Sequence, residues 1–207
     1  MAAEEVPTKA GPRELSRRLF FALWPDGAMR AAMAHATRKA GLAAGRPVPA
    51  ANLHVTLVFL GSVPERRLAE LGAIARASGA ASAERLELAF DHLEYWRAAQ
   101  LLCALPAECP APMAALARNL QDRLAACGFA PDLKGSLSVG VSVPRQFRPH
   151  VTVARKVHRP PGVMEMQPVI WGFGDLVLVE SKTLPEGSVY TVLETIRLSS
   201  GVRSEKQ

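Results

Sequence analysis

Between residues 18 and 198 the apolar positions switch repeatedly between a period of two and a helical period, and the switches fall at Gly, Pro and Asp. Arg18 to Trp24 is apolar and aromatic and predicts a first strand that stops at Pro25-Asp26. Asp26 is placed to cap a helix running to about Lys39, with Met29, Ala32, Met33 and Ala36 at helical spacing and Gly41 as its stop. Leu53 to Leu60 reads as a strand closed by Gly61. Ser62 and Glu65, with Pro64 between them, have the spacing of a capping box for a helix over about 64–77. A hairpin follows, Arg85 to Leu93 and Gln100 to Leu105, joined across Tyr95-Trp96-Arg97. A helix over about Ala111 to Ala126 ends at Gly128. A long connection then leads to a strand from His150 to Val157, and Phe173 to Glu180 and Val189 to Leu198 close the series.

Residues 1–16 and 199–207 are polar and aperiodic and read as flexible tails, which leaves 17–198 for a single domain. Strands and helices are interleaved, yet several strands are joined by short links. That mixture predicts an α+β fold containing antiparallel sheets.

Composition narrows the setting. The chain has 207 residues, 49% of them hydrophobic and 21% charged, enough to bury an ordinary core. Cys103, Cys109 and Cys127 are odd in number and lack C-x-x-C spacing, so neither a disulfide framework nor a zinc ribbon is expected. The N-terminal stretch carries Glu4, Glu5 and Pro7 where a secretory signal needs an apolar run, and no apolar run approaches the roughly 18 residues of a membrane span. A cytoplasmic protein away from membranes is the expectation. A net charge of +6, carried mostly by arginine, favours a polyanionic partner, although Arg- and Ala-rich coding bias produces the same excess.

The feature that carries chemistry is a repeat. His54-Val55-Thr56-Leu57 and His150-Val151-Thr152-Val153 lie 96 residues apart, each on a predicted strand. Chance predicts about 0.2 His-x-Thr occurrences for a chain of this composition, so two copies on matching elements suggest an internal duplication. Residues i and i+2 of a strand share one face about 6.5 to 7 Å apart, so each copy offers an imidazole and a hydroxyl together. Facing each other across a cleft, the copies would surround a phosphodiester. One neutral imidazole would accept a proton while a protonated one donates, and the hydroxyls would bind non-bridging oxygens.

Two other readings compete. The histidines could be half-buried strand residues bonded to backbone, or members of a zinc site. Zinc usually takes three or four protein ligands, and neither motif carries a carboxylate or cysteine at ligand spacing. No metal or other cofactor is expected. His35, His92 and His158 have no repeated partner and read as structural.

At these residues the chain resembles the two-histidine phosphoesterase superfamily, and within it the bacterial RNA 2′,3′-cyclic phosphodiesterases, also called 2′-5′ RNA ligases. The resemblance rests on Arg18-Leu19-Phe20-Phe21-Ala22-Leu23-Trp24-Pro25, on Asn52 to Leu57 with Phe59-Leu60-Gly61, and on Phe147-Arg148-Pro149-His150-Val151-Thr152-Val153-Ala154-Arg155. It implies a bilobal fold with two antiparallel sheets related by a pseudo-two-fold axis around a central cleft, helices outside. It further implies hydrolysis of a terminal RNA 2′,3′-cyclic phosphate to a 2′-phosphomonoester, with His54 as proton donor and His150 as acceptor. The implied partners are RNA ends bearing that group, tRNA fragments being one candidate.

The resemblance also implies phosphate binding by Arg155. Strict alternation puts Arg155 opposite His150 and Lys156 on the His face, so a bulge or twist is required; otherwise Arg155 is a solvent-exposed strand charge. Trp96, Trp171 and Tyr190 are candidates for stacking on a nucleobase, or for packing. Asp132 to Pro144 looks longer than the family's usual link, and Leu137, Val139, Val141 and Val143 alternate as in an edge strand. The alternatives within the same site are hydrolysis of another cyclic phosphate and reversible 2′-5′ ligation. Outside catalysis, the alternative is an RNA- or nucleotide-binding module.

Overall fold

Strand β1 (Ser16–Leu23) buries Leu19, Phe21 and Leu23 toward one side and Phe20 and Ala22 toward the other. A strand apolar on both faces must lie inside its sheet, and β1 does. The computed structural model describes residues 14–81, 86–129, 147–158, 164–185 and 187–198. The expected edge strand over 132–144, residues 1–13 of the expected N-terminal tail and the expected tail over 199–207 lie outside them. After β1 come α1 (Gly27–Ala44), the two-residue β2 (Arg46–Pro47), β3 (Val55–Pro64), α2 (Leu68–Ala80) and β4 (Leu86–Trp96). The chain continues through β5 (Leu101–Pro106), α3 (Ala111–Ala126), β6 (Val151–Arg155), β7 (Met164–Phe173), β8 (Asp175–Leu184) and β9 (Gly187–Arg197).

These strands form two sheets, β3-β1-β8-β9 and β2-β6-β5-β4-β7, with every pairing antiparallel. The fold is α+β, as expected. The orders correspond: β3 and β6 carry the repeated motifs, and outward from them β1 matches β5, β8 matches β4 and β9 matches β7. Each motif strand follows a strand–helix step, β1–α1 in one half and β5–α3 in the other. The helices change sides. α1 packs on β7 and β6 of the second sheet, whereas α3 packs against α2 and β3, and α2 against β8 and β9. Trp171 on β7 is fully buried and donates its indole N–H to the Met29 carbonyl of α1 at 2.9 Å.

Several local signals yield to this packing. Asp26 caps α1 as expected, its Oδ1 accepting the Met29 N–H at 2.8 Å. Gly41 does not stop the helix, which runs on to Ala44; one helical glycine costs only about 1 kcal/mol. Gly61 does not close β3 either. It sits at a bulge with φ +68, and the strand continues through Ser62 to Pro64.

The expected capping box does not form. The Ser62 hydroxyl bonds Ser16 across the strand pair, and Glu65 is held by Arg17 at 2.7 Å, a charge-assisted contact stronger than a cap. Residues Glu65–Arg67 make a 3-10 turn, and α2 starts at Leu68 without a side-chain cap.

The hairpin extends further than expected, β4 reaching Trp96 before a 3-10 turn over Arg97–Ala99. β6 is shorter, because Lys156 turns out of it with φ +54. α3 keeps its expected limits, with Gly128 at φ +74 after it. β7 has no clear alternation in the sequence. Its Met166, Val169, Trp171 and Phe173 are buried, but Pro168 interrupts the pattern where the β4–β7 register slips.

Gly45 marks the tightest approach of the α1–β2 connection to β6, since a Cβ there would lie 2.6 Å from the Arg155 carbonyl oxygen. Gly45→Ala is therefore expected to lose about 1–3 kcal/mol and several degrees of Tm in thermal denaturation. Gly27→Ala, with nothing within 4 Å, serves as the control that should not.

Candidate active site

Both motif histidines stand one residue ahead of their strands and are half-buried, and both are held in the same way. His54 donates Nδ1–H to the Asn52 carbonyl at 2.7 Å, and His150 donates Nδ1–H to the Arg148 carbonyl at 2.9 Å. In each case the acceptor lies two residues earlier. Because a carbonyl can only accept, neutral imidazoles here carry their proton on Nδ1, leaving Nε2 as the basic atom. Thr56 donates its hydroxyl to His54 Nε2 at 3.0 Å, so the i, i+2 pairing read from sequence is realised in the first motif. Thr152 lies across from Cys103, its hydroxyl 4.0 Å from the buried Sγ.

A bulge follows each motif threonine. Consecutive β1 residues Phe21 and Ala22 pair with Val58 and Thr56, leaving Leu57 over, and consecutive β5 residues Leu102 and Cys103 pair with Ala154 and Thr152, leaving Val153 over. The extra residue inverts the alternation beyond it. This is the bulge that Arg155 required. Its guanidinium reaches the Tyr190 hydroxyl of the opposite sheet at 3.5 Å, and Tyr190 meets the His54 ring edge-on with centroids 5.2 Å apart. Lys156, which strict alternation would put on the His face, has left the strand.

Aromatic rings line both sides. Trp24 stacks on His54 at 5.2 Å with an interplanar angle of 14°, and Phe20 lies 5.0 Å from the same ring. Trp96 packs on His150 at 4.4 Å. Of the three aromatics considered for base stacking, Trp96 and Tyr190 are at the cleft, whereas Trp171 is fully buried against α1 and excluded from it. His35 is exposed on α1, His92 bonds Asp91 and His158 lies by Gln100, so none joins the pair. Trp24, Asn52, Glu94 and Arg148 belong to the site environment but were not singled out from sequence. For Asn52 and Arg148 the signal was available, since both precede their histidine by two residues.

Burial pushes the His54 imidazole down to about 4; the Asn52 carbonyl opposes this, and the positive charges of His150 and Arg155 add to it. That coupling brings the two motifs and Arg155 into one electrostatic site. Burial also lowers His150, against the Arg148 carbonyl; the Arg148 guanidinium lowers it further and the Glu94 carboxylate raises it. Both shifts favour the neutral imidazoles at neutral pH, and an anion beside them would draw both upward. Among the described residues no three His, Cys, Asp or Glu side chains are grouped to hold a metal ion, and no helix is long and apolar enough to cross a membrane.

Fold and site define a two-lobed α+β protein with a duplicated histidine motif at its centre. Within that class the chain belongs to the 2′-5′ RNA ligase superfamily, whose signature matches residues 25–180. It is 32% identical over 198 residues to an RNA 2′,3′-cyclic phosphodiesterase of Thermus thermophilus, covering 87% of this chain and 90% of that protein. Among solved structures, Escherichia coli LigT complexed with 3′-AMP superposes with a TM-score of 0.75 at 24% identity, over 90% of this chain and 100% of that one. TT0787 of Thermus thermophilus gives 0.71 at 28% identity, over 88% and 98%.

A histidine with a lowered folded pKa disfavours the folded state once the unfolded chain begins to bind its proton. The stability contributed by neutral His54 is complete above pH 6.5 and is lost as pH falls toward about 4. After discounting for partial exposure this amounts to about 1–2 kcal/mol. Chemical denaturation of wild type and His54→Gln between about pH 7 and pH 4 should show the variant losing less stability on acidification.

Proposed function

We propose that the protein hydrolyses the 2′,3′-cyclic phosphate at an RNA end to a 2′-phosphomonoester, by acid–base catalysis without a metal. The observation that carries this reading is the matched pair of imidazoles, each with Nδ1 tied to the carbonyl two residues back, with the charges of His150 and the Arg155 guanidinium both acting on His54. In the proposed step His150 Nε2 takes a proton from water as the water oxygen bonds to phosphorus. The bond from phosphorus to O3′ breaks, and His54 delivers a proton to that oxygen. Thr56, Thr152 and Arg155 hold the non-bridging oxygens, whose charge grows in the transition state. The relative's name supports the substrate, and the family resemblance supports the direction of proton transfer.

RNA ends are the proposed partners, tRNA fragments among them, and the cytoplasm the proposed setting. The family's description as RNA ligases favours a second reading of the same site, in which the 5′-hydroxyl of another RNA end takes the place of water, bonding to phosphorus as the bond to O3′ breaks and leaving a 2′-5′ linkage.

The deciding assay is hydrolysis of a short RNA ending in a 2′,3′-cyclic phosphate, in excess EDTA. Wild type should give a 2′-phosphate product, while His54→Ala and His150→Ala should each lose about 10² to 10⁴-fold in turnover. Tight RNA binding without turnover would establish a binding module instead, and loss of wild-type activity on chelation would point to a metal site.

The pH dependence is equally specific. In the free protein both imidazoles lie below 6.5, so the bell of kcat/KM should be displaced to the acid side of that value. Activity falls at low pH as the base is protonated and at higher pH as the acid loses its proton. The kcat profile should lie higher on the pH scale, because bound phosphate favours imidazolium. A profile flat between pH 5 and pH 8 would contradict the mechanism.

A further inference from the structure

The two histidines are matched in backbone, carbonyl anchor and aromatic support, yet one charged group has no counterpart. Behind Trp24, which stacks on His54, the Arg30 guanidinium lies 5.8 Å from the indole and donates to the Ala51 carbonyl at 3.4 Å. Behind Trp96, which packs on His150, the Arg148 guanidinium lies 5.7 Å from the ring. There the likeness ends. Arg148 is held by Glu94 through Nη2 at 2.6 Å and Nη1 at 3.5 Å, whereas among the described residues no carboxylate pairs with Arg30. Glu94 pairs across β4 and β5 with Cys103, which pairs with Thr152, so the carboxylate lies in the cross-strand row that carries the second motif.

We infer that Glu94, through its ion pair with Arg148, is the positioning residue that makes the two matched histidines unequal, keeping His150 the readier proton acceptor. Arg148 supplies the carbonyl that anchors His150 Nδ1, so fixing its side chain to β4 also fixes the imidazole. His54 has a different tether: the Asn52 amide donates to the Ser188 carbonyl at 2.9 Å, an uncharged contact.

The charges facing His150 support the same ordering. Arg148 from its own segment is cationic and lowers His150, and His54 adds positive charge when protonated, whereas Arg155 from β6 acts on His54. Cys103 from β5 is neutral, its thiol pushed up to about 12 by burial. Glu94 from β4 is the anion among these groups, and it raises His150 while the charges acting on His54 only lower it. A base gains from higher proton affinity and an acid from lower.

The inference rests on the cyclic phosphodiesterase reading for its catalytic consequence, but its electrostatic content can be measured without turnover. Histidine ¹⁵N NMR titration of the full-length protein, comparing wild type with the isosteric Glu94→Gln, reads both rings directly. Removing the carboxylate leaves Arg148 uncompensated, so His150 should fall by roughly half a pKa unit or more while His54, which feels Glu94 only through His150, does not fall with it. On the cyclic-phosphate RNA, kcat should fall about tenfold with KM little changed, and Glu94→Asp should recover part of both effects. An unchanged gap between the two titrations in Glu94→Gln, or an equal shift of both rings, overturns the inference. If wild type fails to hydrolyse the RNA while the His150 shift is present, the substrate reading falls and the ordering by Glu94 stands.

Discussion

The arrangement on which everything else rests is the exchange of crossover helices between the two sheets. α1 leaves the first sheet after β1 and covers the second, and α3 leaves the second after β5 and packs beside α2 and β3. The helix-side faces of both sheets consequently meet in one continuous core that includes Leu19, Phe21, Leu88 and Trp171. Truncating a buried aromatic in such a core costs about 3–5 kcal/mol, so neither lobe can shift its motif strand without disturbing packing that belongs to both. The cleft is positioned by that shared core.

The halves differ within this common frame. The bulge after Thr56 and the bulge after Thr152 are the same backbone device, but two residues beyond the bulged position one half presents Phe59 and the other Arg155. Phe59 joins Phe20, Trp24 and Tyr190 in an apolar cluster on the first sheet, with the Arg18 guanidinium 4.8 Å from its ring. Arg155 reaches over from the second sheet toward that aromatic wall. A phosphate between the lobes would therefore meet hydroxyls and imidazoles from both sides and a guanidinium from one. On the proposed function, that asymmetry would orient the phosphate even though the histidines are matched.

What could be read in the sequence shares one property: each signal was complete within a few consecutive residues. β1 is a short apolar run ended by Pro25-Asp26, α3 follows a helical period to a stop at Gly128, and the Asp26 cap satisfies a backbone N–H three residues on. Family membership and the two His-x-Thr pairs were legible because the same short pattern occurs twice, and α+β followed from the interleaving of periods. Gly41, Gly61 and the Ser62/Glu65 pair misled because they are local preferences of about 1 kcal/mol, outweighed by helix continuation, strand continuation and a cross-strand arginine. Tertiary structure alone decided that α1 belongs to the far sheet, that β7 completes the second sheet, that Trp171 is core rather than cleft, and that Glu94 stands behind His150. Those relations join residues far apart in the chain through strand register and helix docking, and a one-residue bulge, invisible to alternation, settles which face Arg155 occupies.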